Sequence, residues 1–242
     1  MWVRTAPVTF LHDSTGPSAA SGWHKLSYAV RGYLEVVTDD LRRIIPGDRA
    51  VWVPAGTEHS EVMRAPLSLR SLYIAPGAAS DWPATCRTIA VSPLLRELIL
   101  HISRIGALDR RVAAQARLVG VLFDLLAAAA EVPLNLPLPR DPRARAFADL
   151  VTAEPGADKS LATLARKAGA SVRTLERCFS LETGLAVGAW RRRVRLFHAL
   201  RLLEAGGNVT EVGFDAGYAT TSAFSAAFSR QFGRPPSGRR RS

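Results

Sequence analysis

The side chains best placed for chemistry stand toward the carboxyl end. Arg173, Glu176, Arg177 and Ser180 recur at i, i+3, i+4 and i+7, so a helix there presents all four on one face. Guanidinium and carboxylate groups in such a row can read base edges, arginine donating a fork to guanine and glutamate accepting from cytosine. Further on, Thr221, Ser222, Ser225 and Ala226 make a second row of hydroxyls and a methyl. These suit phosphate oxygens and thymine methyls but cannot make the bidentate guanine contact, so more permissive reading is expected there. Between the rows Arg191, Arg192, Arg193 and Arg195 cluster, and Arg192 is expected to weaken binding uniformly when removed, as a phosphate contact would.

The amino-terminal half offers less. His24 and His59 stand near Glu58 and Glu61, but an open divalent site needs three or four converging donors, and strand alternation keeps Glu58 and Glu61 from both sharing the inward face with His59. No metal and no cofactor is expected. His24, Tyr28, Trp52, His59 and Tyr73 are the candidates for lining a small-molecule pocket, with Tyr33 beside them. No serine, cysteine or carboxylate comes with an activating partner motif, so the chain is not read as an enzyme.

The elements that must position these groups follow from periodicity. Residues 26–75 read as short strands, LSYAV, YLEVVT, RAVWVPA and LRSLYIA, broken by Arg-Gly, Asp-Asp, Pro-Gly and Ala-Gly. From Pro93 the period becomes helical, with Leu94, Leu95, Leu98, Ile99 and Ile102 on one face, then a second helix over Val112 to Ala130. These two helices bury their stripes either on their own sheet or on a second chain. Pro133, Pro137, Pro139 and Pro142 then stiffen a spacer, and everything after it reads as helix.

The tail repeats itself. TLERCFSLETG at 174–184 aligns with AFSAAFSRQFG at 223–233, and Leu164-Ala165 with Gly169 matches Val212-Gly213 with Gly217 after a one-residue slip. Each unit is therefore helix, glycine turn, helix. In the first, Leu161, Leu164, Ala165 and Ala168 form a stripe, Ser171 caps the second helix, and Leu175, Cys178 and Phe179 face inward. In the second, Asn208 and Glu211 have capping-box spacing and Phe224, Ala227, Phe228 and Phe232 are buried. A connecting helix over 186–205, apolar at Val187, Trp190, Val194 and Leu203, holds the two units apart.

Those residues, LA…G.S.RTL.R.F….G in the first unit and V…GY…S.F…F…FG..P over Val212–Pro236 in the second, resemble the DNA-binding domain of AraC/XylS-type transcription regulators. Two departures stand out: Gly213 replaces the usual alanine, at about 1 kcal/mol in helix propensity, and SGRRRS after Pro236 lacks an aromatic. KLSYAVRGYLEVVT, IPGDRAVWVPAGTEHSEVM and LRSLYIAP, marked by Pro46-Gly47-Asp48, Val53-Pro54-Ala55-Gly56 and His59, resemble the cupin-like sensor barrels often joined to such tails. The resemblance implies an α+β chain of two domains. Residues 1–132 form a cupin-like effector-sensing and dimerisation domain, with a β-barrel over about 10–77 and helices over about 93–130. A Pro-rich linker follows at 133–142, then an all-α domain at 143–242 with two helix-turn-helix units. The partners it implies are promoter DNA, a small-molecule effector, a second copy of the chain and, for an activator, RNA polymerase. A cupin-type metal-dependent enzyme with an accessory DNA-binding tail is the alternative.

Bulk properties agree with a polyanion partner. The chain has 242 residues, 48% hydrophobic and 22% charged, with a formal charge of +11. Residues 140–242 hold 18 Lys+Arg and 9 Asp+Glu, a balance of +9, whereas residues 1–139 have a balance of +2. Two cysteines, Cys86 and Cys178, are too few for a disulfide framework. The start shows no basic-then-apolar run, and the greasiest stretch, Leu118 to Val132, contains Asp124, so a cytoplasmic, non-membrane protein is expected.

Overall fold

The computed structural model describes residues 1–47, 49–78, 82–132, 134–157 and 159–237. Asp48, Pro133 and the terminal residues from Gly238, which belong to motifs named above, lie outside the described residues. The chain divides into two compact units, residues 1–38 with 43–134 and residues 39–42 with 135–242.

In the first unit the runs LSYAV and YLEVVT are not separate strands. They join in β3 (His24–Val37), which pairs antiparallel with the similarly long β6 (Ser60–Ile74). The register shifts between Ala29 and Tyr33, where Gly32 has φ +78° and a Cβ would lie 2.2 Å from the Pro66 carbonyl oxygen. Only glycine fits such a bulge, which bends the ladder. Its two ends consequently meet: Lys25 pairs with Tyr73 and Glu61 with Val36, yet Lys25 Nζ lies 2.7 Å from Glu61 Oε2.

The remaining strands flank this ladder. β1 (Val3–Phe10), which precedes the expected barrel, pairs with β6 and with β8 (Ala107–Leu108); β5 (Arg49–Val53) joins β3 to β7 (Arg87–Ala90). Short β2 (Ser14–Thr15) pairs with β6, and β4 (Leu41–Pro46) with β3. The path β7-β5-β3-β6-β1-β8 is open, with no ladder joining its ends among the described residues. One face carries Val3, Leu26, Tyr28, Trp52, Leu72 and Ile74 against α1 (Pro93–Ile105) and α2 (Ala113–Ala127). Leu95, Leu98, Ile99 and Ile102 are buried there with Val119, Leu122 and Leu126, so the helical stripes cover their own sheet. Leu94 is 62% exposed, because position N2 of α1 points away from the stripe, and α2 ends three residues before Ala130. The other face gathers Ala29, Val51, Val53 and Leu69 against Leu34, Val36, Ile45, Met63 and Leu67 from the far half of the bent ladder.

The second unit is helical. The Pro-rich stretch is more than a spacer: it holds β9 (Asn135–Pro137), buries Leu136 and Leu138, and accepts a 2.7 Å hydrogen bond at the Pro137 carbonyl from Trp190 Nε1. Then follow α3 (Pro142–Ala153), α4 (Leu161–Lys167), α5 (Val172–Thr183), α6 (Val187–Glu204), α7 (Val209–Asp215) and α8 (Thr221–Phe232). Phe147, Phe179 and Trp190 pack edge to face at 5.6 and 5.2 Å in the first half, tying α3, α5 and α6. Phe224, Phe228, Phe232 and Phe197 form the corresponding chain in the second half. α6 serves both cores, burying Val187, Trp190 and Val194 toward one and Leu196, Phe197, Ala199 and Leu200 toward the other. Leu203, expected among its buried positions, is only half-buried.

Candidate nucleic-acid interface

The two helix pairs are built alike down to single hydrogen bonds. α4 ends where Gly169 takes φ +68°, and the Ala170 amide donates to the Ala165 carbonyl at 3.0 Å; α7 ends where Gly217 takes φ +80°, and the Tyr218 amide donates to the Gly213 carbonyl at 3.1 Å. Both are left-handed glycine stops. Each following helix is then capped by a hydroxyl, Ser171 accepting from the Thr174 amide and Thr220 from the Ala223 amide, at 3.1 and 3.2 Å. Asn208 caps α7 through the Thr210 and Glu211 amides.

On α5, Leu175, Cys178 and Phe179 are buried and Arg173, Glu176, Arg177 and Ser180 are exposed. Arg173 and Arg177 have no intramolecular hydrogen bond or ion pair among the described residues, so both guanidinium forks face solvent uncommitted. Glu176 is different. Its Oε2 accepts from the Val187 amide at 3.4 Å, supplying the cap that Ala186 cannot give α6. Burial pushes the Cys178 thiol above its ordinary value, with Asp141 adding to the effect.

On α8, Phe224, Phe228 and Phe232 are buried; Ser222 and Ala226 are exposed, and Thr221, Ser225 and Ala227 half-buried. Gly213 has a packing reason: a Cβ there would lie 3.0 Å from Phe224 Cδ1. Arg192 is exposed on α6, whereas Arg191 donates to the Lys159 carbonyl at 2.8 Å and Arg193 to the Asn135 carbonyl at 3.3 Å. Read from the sequence, Arg195 is only part of the arginine cluster, and Tyr218 and Arg230 have no role of their own. Burial pushes the Tyr218 hydroxyl above its ordinary value, while the charges of Arg192, Arg195 and Arg230 pull it down. Helical spacing alone marks Arg195 and Arg230 only as surface residues, and their common effect on Tyr218 needs α6 and α8 docked together. Arg234 joins that docking through a 2.8 Å ion pair to Glu204.

In the first unit the structure divides the candidate pocket residues. His24, Tyr28 and Trp52 belong to the helix-covered face. His24 stacks on Trp52 at 4.9 Å and accepts from the Ala55 amide through Nδ1 at 2.9 Å, and Tyr28 and Trp52 are 2% and 0% exposed in the core. They cannot line a pocket on the opposite face. Tyr73 is on that opposite face beside Lys25, and buried His59 contacts the Thr57 carbonyl through Nδ1. Glu61 turns inward to Lys25, and Glu58 outward to Ser18. Among the described residues no group of three or more His, Cys, Asp or Glu could hold a metal ion, and no helix is long and apolar enough to cross a membrane.

A duplicated glycine-turn helix pair, its second helix capped each time by a hydroxyl and its first copy presenting two uncommitted arginines beside a basic spacer helix, defines a DNA-binding protein of the helix-turn-helix class. Comparison with known proteins agrees. A helix-turn-helix domain family matches residues 164–242. The chain is 34% identical over 212 residues to the HTH-type transcriptional regulator NimR of Escherichia coli K12, covering 88% of this chain and 77% of that protein. It is 37% identical over 101 residues to the HTH-type transcriptional regulator RipA of Corynebacterium glutamicum, covering 42% of this chain and 30% of RipA. A probable AraC family transcriptional regulator from Rhodopseudomonas palustris CGA009 aligns in structure with TM-score 0.36 and 26% identity, covering 39% of this chain and 91% of that one. The chain belongs to the AraC-type helix-turn-helix transcriptional regulators.

Proposed function

We propose that α5 reads bases through Arg173 and Arg177, that α8 reads more permissively through Thr221, Ser222, Ser225 and Ala226, and that Arg192 grips phosphate. The observation carrying this is the pair of exposed, uncommitted guanidinium groups on a helix whose opposite face is fixed in the core. Glu176 acts first as the cap of α6 and reads bases only secondarily. In this reading residues 143–242 are the DNA-binding domain, 133–142 the linker, and 1–132 a cupin-like domain that senses a small-molecule effector and pairs with a second copy. The regulator works in the cytoplasm, with RNA polymerase as partner wherever it activates.

The test is selection of bound duplexes from a random pool at about 150 mM salt with the full chain. The expected motif has two elements about one helical turn apart, one sharply and one loosely specified. Arg177→Ala should relax the sharp element, at about 1 to 3 kcal/mol. Equal weakening of all sequences by that substitution would make α5 a backbone clamp instead.

A further inference from the structure

The glycine turns of the two helix pairs are closed by the same hydrogen bonds. The Gly169 amide donates to Arg166 and the Gly217 amide to Phe214, each beside the longer bond from the residue after it. They differ in what lies on them. A Cβ at Gly169 would meet nothing within 4 Å, whereas one at Gly217 would stand 2.8 Å from Nη1 and 3.5 Å from Cζ of Arg195. The guanidinium of Arg195 thus occupies the place of a side chain on the second turn. Arg195 stands on α6 one helical turn past Arg191, is half-buried, and makes no hydrogen bond or ion pair among the described residues. It also lines a small cavity with Leu150 and Val151 of α3, Leu164 of α4 and Arg191. One side chain therefore reaches from the base of the first helix pair to the turn of the second.

The same seam carries a second contact. After α3 the chain is strapped to α6 by Arg191, which donates to the Lys159 carbonyl at 2.8 Å, and is closed on itself by the ion pair of Lys159 with Glu154. Between them Gly156 meets the end of α7, where a Cβ would lie 3.7 Å from the Asp215 carbonyl oxygen. The last carbonyls of a helix attract a cation, and Arg195 brings one to the turn that follows those of α7.

We propose that Arg195 is a positioning residue for DNA recognition: it braces the second helix pair against the first, so that α5 and α8 meet DNA at one fixed separation and angle. α6 joins the pairs end to end, and a single connecting rod fixes distance better than angle. The brace at Gly217 fixes the angle. The proposal rests on the reading in which α5 and α8 address the two halves of one operator.

The experiment has two arms. In the first, nitroxides carried by ketone side chains in place of Ala162 on α4 and Ala223 on α8, both exposed, leave Cys86 and Cys178 untouched. Pulsed electron paramagnetic resonance then reads the separation of the pairs in the full chain without DNA. Arg195→Ala should broaden the distance distribution, and Arg195→Lys, which keeps a cation at the turn, should restore most of its sharpness. In the second arm, the unlabelled chain binds the duplex recovered by selection and the same duplex one base pair shorter or longer between its two elements. Arg195→Ala should shrink the preference for the recovered spacing about fivefold or more while keeping the bases preferred within each element. An arginine that merely stabilised the fold would leave that ratio alone, and one that gripped phosphate would weaken all three duplexes equally. Either result, or an unbroadened distribution in Arg195→Ala, overturns the brace. If Arg195→Ala does not fold, Arg195→Gln, neutral and shorter, must show the same two changes, and its failure to do so overturns the brace. A wild-type selection that recovers a single element overturns the two-reader reading instead, and the distance arm then decides the brace by itself.

Discussion

Glu176 and His24 each show how one side chain's role depends on what its neighbour lacks. Ala186 has no oxygen to cap α6, so the Glu176 carboxylate takes the Val187 amide. Glu176→Ala should therefore lower stability by about 0.5 to 1 kcal/mol in urea unfolding, besides any effect on DNA. His24 accepts the Ala55 amide through Nδ1, which requires the neutral ring, and burial lowers its pKa. A depressed histidine stabilises the fold above the unfolded value of about 6.5, and that contribution is lost as pH falls through the folded pKa. The urea midpoint should thus drop between about pH 7.5 and about pH 5, and His24→Gln should flatten the drop. An identical slope in the variant would assign the acid sensitivity elsewhere. Neither role was legible in sequence, where both residues read as binders of something external.

At the scale of elements, legibility followed the range of the contacts. The helix pairs of the second unit were readable because caps, glycine stops and apolar stripes are set within five residues, as with Ser171 and Thr174 or Gly213 and Tyr218. The sheet was not. Whether Tyr28 and Trp52 or Lys25 and Tyr73 share a face depends on the parity of pairing between β3, β5 and β6, and on a bulge that lets residue 25 meet residue 61. The same contrast explains Gly213, whose helix-propensity cost was visible and whose contact with Phe224 was not. Gly213→Ala gains about 1 kcal/mol in propensity but pushes on a ring held 5.6 Å from both Tyr218 and Phe228. Overpacking of that kind costs about 1 to 3 kcal/mol, so a net loss near 1 kcal/mol is expected in urea unfolding. Net stabilisation would mean that Phe224 can yield.

For the molecule as a whole, charge separates the labours of the two ends. The balance of +9 over residues 140–242 supplies sequence-independent attraction to DNA, and base contacts add discrimination on top of it. Arg192→Ala should weaken binding to all duplexes alike and reduce the slope of log K against log salt by about 1, leaving the selected motif intact. A changed motif would promote Arg192 to a reader.

α6, 18 residues and so about 27 Å long, is gripped by two aromatic cores, one near its start through Trp190 and one past its middle through Phe197. It therefore behaves as a gauge. Exchanging one base of an operator costs a single contact, but deleting one base pair between its halves shortens the site by about 3.4 Å and turns one half by roughly 35°. With α5 and α8 reading the two halves as proposed, a change of operator spacing should cost this regulator more affinity than exchange of a single base.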